Sequence, residues 1–381
     1  MSILIGADLV PTAENSPLFT RGDAEALCGA ALREILAQAD YRIFNLETPL
    51  ADADTPIAKV GPALRAPTSA VCGMKALGVD LFTLANNHCM DQGTPGLRAT
   101  LTALRAAGID TVGAGETAAE AAKPHTFVWR GQTVGVYACA EHEFSIAGAQ
   151  RCGANPFDPL ETPDHIARLK QSCDYVIVLY HGGKEYYRYP SPGLQKVCRK
   201  LVDKGADLVV CQHSHCIGAY ERYGQGCIVY GQGNFLFEDG EGEPLQTGLL
   251  VCLGDDLAVS FVPLRHVPGG VRLAEGQDGK TILQALEQRS ALLGQPGFVE
   301  QNYRAFAQEN CDAYLQALNG AAQRSFLYRV LNRVTARKWS AWYLRRHYRP
   351  LDRLRLRNYI ECEAHRELLL AGLHSEWDSR R

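Results

Sequence analysis

The chain carries no excess of either charge. Lys and Arg number 39 against 42 Asp and Glu, a net charge of −3, and that balance argues for no particular partner. It contains no apolar run long enough to cross a bilayer. The longest candidates, such as residues 175–180, have the length of a strand and end in polar residues. Met1-Ser2 leads straight into the strand-like Ile3-Leu4-Ile5-Gly6, with no basic segment or small-residue cleavage site flanking an apolar stretch. No Cys-x-x-Cys pair occurs among the 13 cysteines. They are scattered singly, and Cys139, Cys211 and Cys252 sit inside strand-like apolar runs. That pattern disfavours a zinc-thiolate site and fits free buried thiols in a reducing compartment, and the odd number leaves one over in any full pairing scheme. The expected location is therefore the cytoplasm. There is no repeat of fixed period, no low-complexity segment, no Walker sequence and no Gly-x-Ser-x-Gly elbow. Gly113-Ala114-Gly115 lacks the third glycine of a dinucleotide loop.

The composition is that of a folded chain: 46% hydrophobic and 21% charged over 381 residues, enough for a large domain and a smaller one. Up to about residue 265, short apolar runs alternate with amphipathic stretches. Strands are expected at 3–10, 42–47, 79–85, 133–140, 174–181, 206–213, 227–234, 247–253 and 257–264. Helices are expected at 24–39, 94–107 and 191–204. The alternation predicts an α/β fold whose sheet is covered on both faces, with the strands from 227 onward forming antiparallel hairpins. Gly-rich residues 266–280 read as a linker. Helical periodicity then dominates 281–381, with helices near 281–293, 298–318, 322–347 and 351–373. Within this tail, 324–357 concentrates arginines from Arg324 to Arg357, opposed only by Asp352 and interleaved with Phe326, Tyr328, Trp339, Trp342, Tyr343 and Tyr348. A solvated basic face accounts for this pattern. So does docking onto an anionic partner, whether a polymer, a peripheral membrane surface or another protein.

Polar residues gather where strands stop: Asp8, Asn45-Leu46-Glu47, Asn86-Asn87-His88, His181-Gly182-Gly183, His213-Ser214-His215 and Gly233-Asn234. Ligands of α/β sheets bind at the carboxyl ends of strands. Imidazole and carboxylate donors without cysteine suit zinc, iron or manganese. His213 and His215, two residues apart at a strand end, can reach one metal pair.

These blocks, with Gly6-Ala7-Asp8, Leu64-Arg65-Ala66-Pro67, Asp91 and Gly93, Glu185-Tyr186, and Gly205-Ala206-Asp207-Leu208-Val209, occur in family order over roughly 1–240. In them the chain resembles the calcineurin-like metallophosphoesterase superfamily, and within it the CapA-like family tied to capsule and poly-γ-glutamate synthesis. The resemblance implies a metallophosphoesterase-like mixed β-sheet sandwich over 1–265, flanked by helices, followed by the linker and a helical, basic C-terminal region. It implies two divalent metal ions (manganese, zinc or iron). Asp8 and His215 resemble ligands to the first metal, and Asn87, His181 and His213 ligands to the second. Glu47 stands where the superfamily has a bridging aspartate. His88 resembles the histidine that faces substrate and protonates the leaving oxygen. Asp91 either orients that imidazole or caps the helix beginning near Thr94. Arg65, Glu185, Arg188 and Asn234 are candidate substrate contacts, and Asn15 is a candidate to face the same cleft.

The chain departs from the superfamily at Val10, where a histidine is usual, and at Glu47, where aspartate is usual. Two functions follow as expectations. One is a di-metal hydrolase of a phosphoester or related bond in anionic polymer metabolism. The other is a non-catalytic polymer-binding or synthesis-partner protein on the same scaffold. A nuclease rests on superfamily analogy alone, so nucleic acid is not the expected partner.

Overall fold

The computed structural model describes residues 2–237, 242–255, 257–318, 320, 325–335 and 338–378. Arg324 and Arg337 lie outside the described residues. The chain divides into two compact units, Met1–Glu300 and Gln301–Arg381.

The first unit is built on strands β1 (Ile3–Leu9), β2 (Tyr41–Leu46), β3 (Leu81–Thr83), β4 (Asp110–Val112), β5 (Ala114–Gly115), β6 (His125–Trp129), β7 (Gln132–Ala140) and β8 (Gly153–Ala154). It continues with β9 (Tyr175–His181), β10 (Leu208–Gln212), β11 (Tyr220–Tyr223), β12 (Gly226–Val229), β13 (Asn234–Leu236), β14 (Thr247–Leu253), β15 (Val259–Val267) and β16 (Gly270–Leu273). One sheet has the order β16-β15-β14-β1-β2-β3-β4, with β13 also paired to β1; the second runs β11-β12-β10-β9-β7-β6; β5 and β8 form a small separate ribbon.

Period-two alternation explains why the sheets stack. Ile3 and Ile5 of β1 point into the same core as Ile177 and Leu179 of β9. Their neighbours point the other way. Leu4 joins the core beneath helices Ser16–Arg21, Ala24–Gln38 and Val71–Ala76, while Val176, Val178 and Tyr180 join the core beneath Thr162–Lys170 and Pro192–Asp203. The result is a mixed α/β sandwich of four layers, two sheets face to face with helices outside. Each buried Ile, Leu or Val contributes roughly 1.5–3 kcal/mol. The helices read as their sequence suggests. Pro192–Asp203 buries Leu194, Cys198, Leu201 and Val202 on one face, and the Ser191 side chain caps it by accepting from Leu194 N.

Two stretches differ from the sequence reading. Residues 266–280 complete β15, form β16 and open helix Gly276–Leu293, so the Gly-rich composition marks a tight β-turn within the sheet. Of the strands from 227 onward, β14, β15 and β16 form the expected antiparallel meander, and β12 makes an antiparallel hairpin with the preceding β11. β12 runs parallel to β10, and β13 parallel to β1.

In the second unit, the described parts of 322–347 are two helices, Phe326–Val334 and Lys338–His347. Residues 350 onward form two more, Pro350–Glu361 and Glu363–Asp378. The first pair is joined by Ser340 N donating to Asn332 Oδ1 and by the Tyr328 ring meeting Tyr343 edge-on at 5.5 Å. Among the described residues, no helix is long and apolar enough to cross a membrane.

Candidate metal centre

Because β1, β2 and β3 are parallel, and β7, β9 and β10 are parallel, each sheet presents its carboxyl ends along one edge. The two edges are tied together. Gln212 Nε2 donates to Gly6 O at 3.1 Å, and Gln232 Nε2 to Ile5 O at 2.8 Å. At this junction the chain gathers Asp8 of β1, Glu47 just past β2, Asn87 after β3, His181 at the end of β9, and His213 and His215 past β10. Each is at most 9% exposed.

The contacts are short. His181 Nε2 lies 3.1 Å from Glu47 Oε1 and 3.1 Å from Asn87 Oδ1. His215 Nδ1 lies 3.5 Å from Asp8 Oδ2. One ligand atom each from Glu47, His213 and His215 falls within 4.8 Å of the others. Two asparagines position Asp8: Asn86 Nδ2 donates to Asn45 Oδ1, and Asn45 Nδ2 donates to Asp8 Oδ1 at 2.7 Å. His213 and His215 both adopt positive φ (92° and 51°), a conformation costing about 1–3 kcal/mol for such residues. Those turns bring the two imidazoles, separated by Ser214, toward the same centre. Asp8 Oδ2, both Glu47 oxygens and His213 Nδ1 are buried without a hydrogen-bond partner. Buried acceptors are costly unless something binds them. A divalent cation is what this set of carboxylate, amide and imidazole donors fits. Val10, itself buried, brings no donor to the cluster.

The electrostatics of the metal-free cluster agree with that fit. Burial, and then the Asp8 charge, push the Glu47 carboxyl up to about 8. Burial drives His181 down to about 4, and burial with the neighbouring His181 and His215 rings drives His213 down to about 3. For His215, burial pulls downward, but the Glu47 and Asp8 carboxylates and the Asn234 bond outweigh it and raise it. Glu47, raised above its ordinary 4.5, stabilises the metal-free fold fully below that value and loses the contribution as pH rises through about 8. The depressed histidines act oppositely: their contribution is present above 6.5 and is lost as pH falls toward 4 and 3. Between pH 6.5 and 8 the metal-free protein is thus expected to lose stability through Glu47, and a cation on that carboxylate removes the loss. Thermal unfolding with and without manganese checks this. The metal-induced rise in Tm is larger at the upper end of that window, and equal rises at both ends contradict it.

Beside the cluster, His88 Nδ1 meets Asp91 Oδ2 at 2.6 Å. Asp91 orients the imidazole and does not cap the following helix, whose N-cap is Gln92. Asp91 is fully buried and also accepts from Leu64 N and from Lys59 Nζ, both at 2.6 Å. Lys59, whose side chain is 4% exposed, additionally lies 3.3 Å from His88 Nδ1. It sits in Thr55-Pro56-Ile57-Ala58-Lys59-Val60-Gly61-Pro62, which reads as a solvated loop, and no sequence signal distinguishes it from a surface lysine. Lys59→Met is expected to destabilise the protein by about 3–5 kcal/mol, because it leaves Asp91 buried without its ammonium partner. Lys59→Met/Asp91→Asn recovers most of that loss. Chemical denaturation of both variants checks it, and an unperturbed single variant contradicts it.

The remaining candidates are placed as follows. Glu185 is half-buried, pairs with Lys184 at 3.3 Å, and lies close enough to His213 and His215 for their fields to act on it; its ionised form is favoured, burial notwithstanding. Next to it Tyr186, at positive φ, stands 6.0 Å from the His215 ring, and Phe237 stands 5.2 Å from it; the sequence reading passed over both as site residues. Asn234 is buried and accepts from His215 Nδ1 at 2.8 Å. Arg65 bonds the carbonyls of Ala51 and Asp52 in its own loop. Arg188 is bound to Ile217 O and Glu243. Asn15 is buried and closes a turn by accepting from Thr12 N.

The capsule biosynthesis protein CapA of Bacillus anthracis is 31% identical over 217 residues, 54% of this chain and 52% of that protein, so the chain spans about half the length of this relative. A "Probable polyglutamine synthesis accessory protein" of Mycobacterium tuberculosis is 31% identical over 282 residues, 67% of this chain and 73% of its own. Among solved structures, a phosphatase from Mycoplasma pneumoniae matches at 13% identity with a TM-score of 0.47, over 71% of this chain and 94% of that one. The family model for the bacterial capsule synthesis protein PGA_cap matches residues 9–239, well over half of the sequence, and the chain belongs to that family.

Proposed function

We propose that the chain is a two-metal hydrolase acting on a phosphoester or related bond of an anionic compound in capsule or poly-γ-glutamate-type metabolism. The observation that carries this reading is the set of four buried polar atoms without a hydrogen-bond partner on Asp8, Glu47 and His213, beside a histidine engaged by a carboxylate. Asp8 and His215 would hold one ion, Asn87, His181 and His213 the other, and Glu47 would lie between them. Bound metals supply a nucleophilic water at neutral pH and polarise the scissile bond. The protein's own part is then positioning and proton transfer. Asn45 and Asn234 fix Asp8 and His215. Asp91, held by Lys59 and Leu64 N, keeps Nδ1 of His88 engaged and leaves Nε2 to protonate the leaving oxygen. Glu185 and Tyr186 would form the rim that substrate meets, while Arg65 and Arg188, engaged elsewhere, are assigned no contact with it. The scattered, singly placed cysteines support a reducing compartment, the cytoplasm, as the setting of that activity.

A second reading, a polymer-binding partner without catalysis, is favoured by one feature: Val10 leaves the Asp8 side one donor short. The two readings separate in an assay of protein loaded with manganese, zinc or iron, using aryl phosphomonoesters, aryl phosphodiesters and γ-glutamyl anilides. Metal-dependent turnover abolished by chelation supports the hydrolase. A metal-loaded protein that turns over none of them contradicts it.

A further inference from the structure

The C-terminal unit presents large apolar side chains to solvent in an ordered pattern. Phe326, Val330 and Val334 follow each other at intervals of four on helix Phe326–Val334, which places them on one face. Phe326 is 74% exposed and Val334 78%. Arg329 and Arg333 flank that stripe from the adjoining positions. On helix Lys338–His347, the rings of Trp339 and Trp342 stack at 4.8 Å, and the Arg346 guanidinium lies 6.0 Å from the Trp342 ring. Among the described residues no ion pair engages Arg329, Arg333, Arg345 or Arg346. The acids following these helices, Asp352 and Glu361, already face Arg355 and Arg357.

We propose that the exposed stripe of Phe326, Val330 and Val334 on helix Phe326–Val334, with Arg329 and Arg333 beside it, docks on the surface of an anionic lipid bilayer. A contiguous exposed apolar face marks an interaction site. Its chemistry selects among the surfaces that might cover it. A polyanion would satisfy the arginines but leave Phe326, Val330 and Val334 in water. A second copy of the chain would bury the apolar stripe but bring like charges together. Anionic lipid offers both halves: phosphates for the guanidinium groups, and an acyl boundary for Phe and Val side chains. The proposal is independent of the metal cleft.

The test is co-sedimentation of the full chain with phosphatidylcholine vesicles, with and without about one-third phosphatidylglycerol. The chain is expected to bind the anionic vesicles, to leave the neutral ones in suspension, and to weaken as salt rises. Phe326→Ser/Val334→Ser and Arg329→Gln/Arg333→Gln each weaken binding about tenfold or more. All four side chains are exposed, so the fold is retained, which circular dichroism verifies. Equal binding to neutral vesicles, or none to anionic ones, overturns the proposal. So does undiminished binding by the Phe326/Val334 variant, which would mean charge adsorption alone. Capture on immobilised poly-γ-glutamate without vesicle binding assigns the face to a polymer. Self-association lost in the same variant, again without vesicle binding, assigns it to a second copy. Either result also overturns it.

Discussion

Glu47→Gln is expected to cost the protein at least about 100-fold in affinity for its metals while leaving the metal-free fold intact or firmer above neutral pH. The two halves of that expectation have one cause. Both Glu47 oxygens are buried without a hydrogen-bond partner, and His181 Nε2, though 3.1 Å away, makes no hydrogen bond to them. A carboxylate so placed is held up to about 8 by burial, so at pH 8 the metal-free protein bears the strain of ionising it. Glutamine removes that strain and removes the ligand with it. A residue present for packing or an internal ion pair would behave oppositely: its loss would lower stability with or without metal. Thermal unfolding at pH 8, with and without manganese, separates the two. Equal destabilisation in both conditions would mean that Glu47 serves the fold and not a cation.

His88→Ala is expected to lower kcat by about 10²–10⁴-fold with metal content unchanged. The geometry makes the separation possible. His88 directs Nδ1 to Asp91 at 2.6 Å, while the candidate ligands lie on Asp8, Glu47, Asn87, His181, His213 and His215. A lost general acid is felt most where the leaving group is a poor one. The deficit should therefore be large for an alkyl phosphoester and small for a p-nitrophenyl ester, whose phenolate departs without a proton. Equal deficits across both leaving groups would point to a binding role for His88, and full activity would remove it from the chemistry.

The layers of this fold were legible because each main strand buries both faces. Ile3, Leu4 and Ile5, or Val176 through Tyr180, form apolar runs of strand length that few other elements produce. The short strands escaped notice for the opposite reason. β4 and β5 have three and two residues, β16 hides in a Gly-rich stretch, and none carries a period of its own. The polar residues at strand ends were equally legible, since Asp8, Glu47, Asn87, His181 and the His213–His215 pair interrupt apolar runs where packing alone would favour Val or Ile. What the sequence concealed were partnerships across long separations. Lys59 meets Asp91 over 32 residues, and Asn45 meets His181 over 136. Arg65 and Arg188 drew attention as guanidinium groups near motif blocks, yet backbone carbonyls and Glu243 occupy them. Spacing along the chain carries no information about which acceptor an arginine reaches once loops close.

On the proposed reading, strand ends of both sheets converge on a pair of metal ions. Elemental analysis of the purified protein, beside a His181→Ala/His213→Ala variant, tests it most directly. The account predicts about two transition-metal ions per chain in the wild type, and a loss of at least one in the folded variant. A wild type that holds no metal after incubation with manganese, zinc or iron, or a variant that holds as much as the wild type, would contradict it.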